Sequence, residues 1–386
     1  MKIRIDRDKF ADAVAWAARS LPARPTMPIL AGMLIKAVDG IVTFSSFDYE
    51  TSAEVEVAAQ IFEDGKTLVS GKLLDAISRQ LQNRPVTITT QENRTEIECG
   101  SSRFTLQSLP VAEYPVLPQM PPATGTVASN LFDIAVKQVI TAAGKDELLP
   151  IYTGVRIEID GDTLSLLSTD RYRMALKEIK WNPSAETEIA AAIIPAKVLG
   201  ETVHSMGSGN EIVISLSSNS LGDGLMGFEG EGQGGKRQLT TRLLDGEFPK
   251  FRHLMDVKGN VVVRVKKEDL IAAVKRISLV AERNTALRMT INDNQIVLEA
   301  ATGDQAQGSE AIEAVVERNN DDAEKITAVG FNPSYLADAV GALDTVYVHF
   351  AFTAPGQPCL LQGLNDVDGI PETDYKHVIM LMRLPV

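Results

Sequence analysis

Cysteine is almost absent from this chain, with Cys99 and Cys359 the two among 386 residues. They stand far apart in strand-like segments, which excludes a disulfide framework and a zinc site and predicts core thiols in a reducing compartment. Long apolar runs are missing as well. No stretch approaches the ~18 apolar residues of a membrane-spanning helix, and the opening Met1-Lys2-Ile3-Arg4-Ile5-Asp6 alternates charge with apolar residues instead of building a signal peptide. The expectation is a cytoplasmic protein without membrane contact. Histidine is scarce: His204, His253, His349 and His377 stand at no ligand or triad spacing, so structural or solvent-facing roles are expected and no metal site. Basic residues are outnumbered, 38 against 51 acidic ones for a net charge of −13, a balance that on its own looks wrong for a DNA-binding protein.

Catalytic motifs are missing too. Gly222, Gly224 and Gly227 fit the lettering of a dinucleotide-binding loop, and Gly230, Gly232, Gly234 and Gly235 extend the run. That loop needs a helix directly behind it, whose N-terminal amides hold the pyrophosphate. Here Lys236-Arg237-Gln238-Leu239-Thr240-Thr241 follows and reads as a strand, so a long flexible hairpin loop is expected, and a nucleotide-dependent enzyme using Gly222 to Gly227 is the minor alternative. Gly65-Lys66-Thr67 is not a phosphate loop, because Gln60 stands where its first glycine must be. Carboxylates gather at Glu50, Glu54 and Glu56, at Glu63 and Asp64, and at Asp321, Asp322 and Glu324, patterns that read as solvated faces. Neither a catalytic residue nor a cofactor is expected.

What the chain does contain is one plan written three times. Helix openings superpose at Lys9-Phe10-Ala11-Asp12-Ala13-Val14, Leu131-Phe132-Asp133-Ile134-Ala135-Val136 and Asp269-Leu270-Ile271-Ala272-Ala273-Val274. Each is followed by a strand pair, with tight turns at Asp39-Gly40, Asp160-Gly161 and Asp293-Asn294. Second helices start at Ser70-Gly71-Lys72-Leu73-Leu74, Pro195-Ala196-Lys197-Val198-Leu199 and Asn332-Pro333-Ser334-Tyr335-Leu336, where small, capping and proline residues suit a first turn. A second strand pair and an acid-aromatic close, Glu113-Tyr114-Pro115, Glu247-Phe248-Pro249 and Asp374-Tyr375, complete each unit. Landmarks recur roughly every 120 to 140 residues, far above the ~20–50 of a solenoid, so the unit is a domain. An α+β fold of three tandem two-helix, antiparallel-sheet domains follows, over 1–121, 122–255 and 256–386, and the 44% hydrophobic content lets each bury its own core.

The ordered strings Arg24-Pro25-Thr26-Met27-Pro28-Ile29-Leu30, Ser168-Thr169-Asp170-Arg171-Tyr172-Arg173-Met174-Ala175 and Val378-Ile379-Met380-Leu381-Met382-Arg383-Leu384 make the chain resemble the bacterial DNA polymerase III beta subunit, the sliding clamp. The resemblance runs from Met1 to Leu384. It implies two chains joined head to tail in a six-domain ring, helices lining a channel, that encircles duplex DNA without sequence preference. The ring would tether polymerases, the clamp loader and repair proteins through short peptide motifs, without enzymatic activity. An acidic exterior with a few basic inner side chains then makes sense, because many strong phosphate contacts would hinder sliding.

The resemblance implies a peptide groove from Tyr152, Thr169, Arg171, Tyr172, Arg173 and Met174, from Pro249 and Leu254, and from Asn332, Tyr335, Val378, Met380, Leu381, Met382 and Arg383. Methionines suit such a pocket because they adapt to several partners. Within the ring, Lys137 with Lys275 and Arg24 with Arg283 at matching repeat positions, Lys145 beside the corresponding position of the second repeat, and Arg79 and Lys197 on the second helices would face the DNA channel. Lys72, Phe104 and Leu106 of one chain would meet Ile277 and Leu279 of the other. Leu381 in place of the usual proline, Arg171-Tyr172 in place of Gly-His, the glycine-rich loop and Pro385-Val386 depart from the family pattern. They leave open a second, drug-insensitive clamp copy with an altered groove.

Overall fold

The computed structural model describes residues 1–184, 190–217, 224–256, 258–282, 285–303 and 305–384. Six α-helices carry the repeat: α1 (Arg7–Ala17), α2 (Gly71–Gln80), α3 (Ser129–Ile140), α4 (Ala196–Met206), α5 (Lys267–Ile277) and α6 (Pro333–Ala342). Asp6 starts α1 by accepting from the amides of Asp8 at 2.9 Å and Lys9 at 3.2 Å, and Asn332 starts α6 in the same way, ahead of Pro333. The three openings bury one motif: Phe10, Ala13 and Val14; Phe132, Ala135 and Val136; Leu270, Ala273 and Val274. Spacing of three and four residues puts each trio on one helix face. The second helices bury Leu74, Ile77 and Ser78; Leu199, Thr202 and Val203; Leu336, Ala339 and Val340, again at i, i+3 and i+4.

The chain divides into two compact units. The first, Met1–Asp133 with Trp181–Glu188 and Val198–Leu243, holds two sheets. One has five strands in the order 60–63, 2–5, 86–91, 94–99, 102–107. The other has nine, in the order 182–183, 123–128, 211–216, 225–231, 236–242, 51–58, 41–47, 32–38, 65–70. The second unit, Ile134–Lys180 with Ile189–Lys197 and Leu244–Val386, holds one sheet of twelve strands, ordered 190–195, 154–160, 163–169, 173–180, 375–379, 359–364, 347–352, 261–266, 306–318, 295–302, 287–291, 328–331. The central repeat is thus shared between the units, because strand pairing runs from one repeat into the next.

Three sequence expectations need correction. Between α1 and α2 lie strands 32–38, 41–47, 51–58, 60–63 and 65–70 where one pair was expected. The extra strand 51–58 carries Glu54 and Glu56 in alternation with buried Val55 and Val57, so its charges concealed its period. Asp374-Tyr375 is not a close: Tyr375 opens the last strand, whereas Tyr114 and Phe248 follow theirs. The glycine-rich segment is largely strand as well, with Gly227 and Gly230 inside Leu225–Glu231 and only 232–235 forming the hairpin turn. Gly222 lies outside the described residues. Glycine fits Gly235 because a Cβ would come within 1.9 Å of the Glu56 carbonyl oxygen at a φ of +157°.

The two inter-repeat pairings obey one rule. Strand 236–242, last of the central repeat, pairs with 51–58 of the first, putting Arg237 opposite Val55, Leu239 opposite Ala53 and Thr241 opposite Thr51. Strand 375–379, last of the third repeat, pairs with 173–180 of the central one, putting Tyr375 opposite Lys177, His377 opposite Ala175 and Ile379 opposite Arg173. Counted from the hairpin turns, these are the same positions. Each pairing extends into the turn beside it: the Arg242 amide donates to Glu50 O at 2.9 Å, and the Met380 amide to Tyr172 O at 2.8 Å.

Candidate partner groove and DNA-facing residues

The string Thr169-Asp170-Arg171-Tyr172-Arg173 forms a tight turn between strands 163–169 and 173–180. Asp170 builds it, its Oδ1 accepting from the amides of Tyr172 and Arg173 at 3.0 Å each, while Thr169 Oγ1 donates to Arg173 O at 2.7 Å. Asp48 closes the equivalent turn in the first repeat, accepting from the Glu50 and Thr51 amides. In both turns the residue after the aspartate is left-handed: Tyr49 at φ +74° and Arg171 at φ +81°. Such a conformation costs a non-glycine residue about 1–2 kcal/mol.

This turn holds an electrostatic knot. Arg173, almost fully buried, donates from Nε to Asp170 at 3.0 Å and from Nη1 to Asp338 on α6 at 2.6 Å, and lies 4.4 Å over the Tyr335 ring. Tyr335 stacks on Tyr172 with centroids 6.4 Å apart, and burial with the nearby Asp170 carboxylate raises its phenol above the ordinary range. The Arg171 guanidinium lies 5.6 Å over Tyr152 and 5.8 Å over Tyr172. Together Tyr152, Asp170 to Arg173, Tyr335 and Asp338 line a cleft of about 300 Å³, with Lys145, Asp146 and Leu149 across from them.

On the other face of the same sheet, Met174 and Val378 join Leu167, Leu360, Phe248, Phe251 and Met255 in one buried cluster, with Leu254 packed against it. Pro249 lines a neighbouring depression with Leu167 and Phe248. Met380 is exposed beside the turn, and Leu381 and Met382 are half-buried. The tail is pinned a second time by the Met382 amide donating to Gly330 O at 2.8 Å, after which Met382 and Arg383 border a further cleft with Arg288 and Ala301. Asn332 serves to cap α6. The structure therefore spreads the expected groove residues over both sides of one strand junction, the aromatic and charged ones around the cleft and the apolar ones on the opposite face. Sequence reading missed Asp170 and Asp338, which hold Arg173, and Phe251, which supports Leu254. The Asp-x-x-Arg spacing of 170 to 173 was the available signal.

Among the expected channel residues, Lys137 on α3, Lys197 on α4, Lys275 on α5, Arg79 on α2 and Arg24 in the loop ahead of the 28–31 turn are all exposed. Lys137 and Lys275 occupy the same helical position, five residues past Phe132 and Leu270. Arg79 is paired with Asp75 at 2.8 Å. Lys145 lies at the cleft described above, and Arg283 lies outside the described residues. Of the expected seam residues, Phe104 and Leu106 belong to strand 102–107 at the edge of the five-stranded sheet; Phe104 is 37% exposed and Leu106 buried. Leu279, just past α5, is 84% exposed, Ile277 is buried, and Lys72 on α2 donates to Ala23 O.

The four histidines divide as expected. His204 and His253 are exposed, whereas burial pushes His349 down to about 4 and His377 to about 3. Cys99 and Cys359 are buried thiols. Among the described residues no three His, Cys, Asp or Glu side chains converge as a metal site requires, and no helix is long and apolar enough to cross a membrane.

Three tandem copies of a two-helix, antiparallel-sheet domain, joined strand to strand, define the sliding-clamp class of α+β protein. Family models of the DNA polymerase III beta subunit match along the chain, the N-terminal domain over 1–118, the central domain over 126–250 and the C-terminal domain over 252–383. The chain belongs to the DNA polymerase III beta subunit family, and its function is that of a sliding clamp in DNA replication. It is 49% identical over 384 residues to the beta sliding clamp of Streptomyces coelicolor, covering 100% of both chains. It is 44% identical over 317 residues to that of Micrococcus luteus, covering 82% of this chain and 100% of the relative. The sliding clamp homolog GriR of Streptomyces muensis is 33% identical over 383 residues and covers 99% of each, so the altered-copy reading is not favoured. Among solved structures, the sliding clamp of Bacillus subtilis superposes with a TM-score of 0.88 at 24% identity, and that of Pseudomonas aeruginosa bound to griselimycin with 0.87 at 22%, each covering 100% of both chains.

Proposed function

We propose that two copies of this chain close a ring around duplex DNA and hold polymerases, the clamp loader and repair proteins by short peptides, with no reaction catalysed. The observation that carries the ring is the pairing rule. The last strand of each repeat pairs with the third main strand of the repeat before it, at 236–242 with 51–58 and at 375–379 with 173–180. Applied once more, the rule leaves 102–107 without its third-strand partner and 306–318 without its last-strand partner at residues 306–311. Each is the match of the other, and only a second chain placed head to tail supplies it. The register carries over: Phe104 opposite Gly308, Thr105 opposite Gln307, Leu106 opposite Ala306. Ile277 packs beside Gly308 on the helix side, where it would receive Leu106 and Phe104, with Leu279 and Lys72 at the rim.

The boundaries 1–121, 122–255 and 256–386 then mark six like domains. Arg24, Arg79, Lys137, Lys145, Lys197, Lys275 and Arg283 would face the duplex, few enough that the ring slides. Tyr152, Thr169, Arg171 to Met174, Pro249, Leu254, Tyr335, Val378 and Met380 to Arg383 would receive the peptide. Two or three buried apolar anchors at about 1.5–3 kcal/mol each contribute about 3–9 kcal/mol before ordering costs, which sets micromolar affinity as the upper end.

Paired cysteines test the ring. Opposed residues of an antiparallel pair hold their Cβ atoms about 4.5–5.5 Å apart, close enough for a disulfide after slight movement, while a two-residue offset stands at about 7–8 Å. Thr105→Cys mixed with Gln307→Cys should yield a two-chain species on mild oxidation, and neither variant alone should. Thr105→Cys with Ser309→Cys should not link. Loaded on closed circular DNA, the protein should be retained and should be lost on linearisation. Cross-linking of Thr105→Cys alone, or retention on linear DNA, would overturn the head-to-tail ring.

A further inference from the structure

Arg171 is a left-handed arginine with no carboxylate among the described residues within ion-pair distance. Its neighbour Arg173 is saturated by two aspartates, yet the Arg171 guanidinium lies across two exposed or half-buried tyrosine rings at the mouth of the cleft. The backbone strain is not needed to form the turn, since the Asp170 bonds to Tyr172 and Arg173 would form equally well around a glycine. What the arginine side chain adds is a five-donor charge held within about 6 Å of both ring centroids. Lys145 lines the same cleft and likewise has no ion-pair partner among the described residues.

We infer that Arg171 is a specificity-determining residue of the partner groove, selecting peptides that carry an acidic side chain next to their apolar anchors. The inference rests on the peptide-groove reading above. A carboxylate approaching the cleft meets the Arg171 fork and Lys145, while the contacts of Arg171 with Tyr152 and Tyr172 lower the ordering cost of the pair. A nucleic-acid phosphate fits less well, because Asp146, Asp170 and Asp338 line the same cleft and repel a polyanion. A peptide presents one charge and can keep its others away.

The test uses the full-length protein and fluorescent peptides with fixed apolar anchors, in which each non-anchor position is in turn Glu or Gln. In the unaltered protein at least one position should favour Glu by about three- to tenfold, the range of a partly exposed charge-assisted pair, and the preference should shrink with added salt. In Arg171→Gly, which suits the left-handed backbone, and in Arg171→Gln the ratio of Glu to Gln affinities should fall to one. Equal Glu and Gln affinities at every position, or a preference that survives both substitutions, would overturn the inference. So would a single-stranded oligonucleotide that displaces the peptide from the unaltered protein but not from Arg171→Gly. Failure of all the peptides to bind in an anchor-dependent way would instead refute the groove reading itself.

Discussion

Phe104→Ala gives the sharpest quantitative test of the proposed ring. In the single chain Phe104 is 37% exposed on an edge strand. With ~200 Å² for a phenylalanine side chain, about 70 Å² is left for the partner to cover, which at ~25 cal/mol per Å² contributes about 1.75 kcal/mol. The portion already buried cancels from the association equilibrium, because it is lost equally from the free and joined chains. A closed pair has two such seams, so the variant should lose about 3.5 kcal/mol, a few hundredfold in dissociation constant. Sedimentation over a dilution series reads this directly. Val116→Ala is the control, since Val116 is 92% exposed in the segment after Tyr114 and belongs to neither seam strand. An unchanged dissociation constant for Phe104→Ala, or an equal loss for Val116→Ala, would refute the strand-pairing argument.

Replacing Arg173 by Met should destabilise the second unit by about 2–3 kcal/mol, below the full cost of breaking a buried pair because Asp338 is half exposed and Asp170 keeps its turn; a urea midpoint equal to that of the unaltered protein would refute this. His377, held neutral to about pH 3 by burial beside Tyr375, gives the stability a pH slope. The unfolded chain takes up this proton near pH 6.5 and the folded chain does not, so the contribution is complete above that pH and is lost as pH falls toward 3, at up to about 1.4 kcal/mol per unit. His377→Phe should lose one proton's worth of that slope in urea midpoints between pH 6 and 4, and identical slopes would count against the burial argument.

The helix frame was legible because its signal is periodic and local. Phe10, Phe132 and Leu270 with their i+3 and i+4 neighbours are apolar at each opening, and the structure buries all three sets. Strand 51–58 was hidden because its outward positions are charged, and Tyr375 was misplaced because an acid-aromatic pair looks alike in a strand and in a loop. The groove string was visible, but its division between two faces of a sheet was not. Alternation within 173–180 sends Arg173 to the helix side and Met174 to the other, and which of these meets Phe251 depends on where residues 244–256 run. Asp338 could not be linked to Arg173 from sequence, since 165 residues separate them.

Equivalence of the junctions has a limit, and the limit bears on how such a ring opens. At both junctions within the chain, pairing continues one step past the strands, through Arg242 to Glu50 and Met380 to Tyr172. The position matching Arg242 and Met380 in the first repeat is Gln107, so the proposed seam would pair over the same length; Leu109, whose amide donates to Leu68 O at 2.7 Å, matches Leu244 and Met382, whose amides donate to Ile193 O and Gly330 O at 2.8 Å each. The seam would have no counterpart, however, to the covalent chain that continues across each internal junction through residues 115–122 and 244–256. A ring built on this rule has two weak points, both between copies, where no chain crosses and the partner concentration sets the equilibrium. Opening at 102–107 leaves the cleft at Arg171 untouched, since that cleft lies wholly at an internal junction, so a clamp of this design can keep a peptide while it opens for DNA.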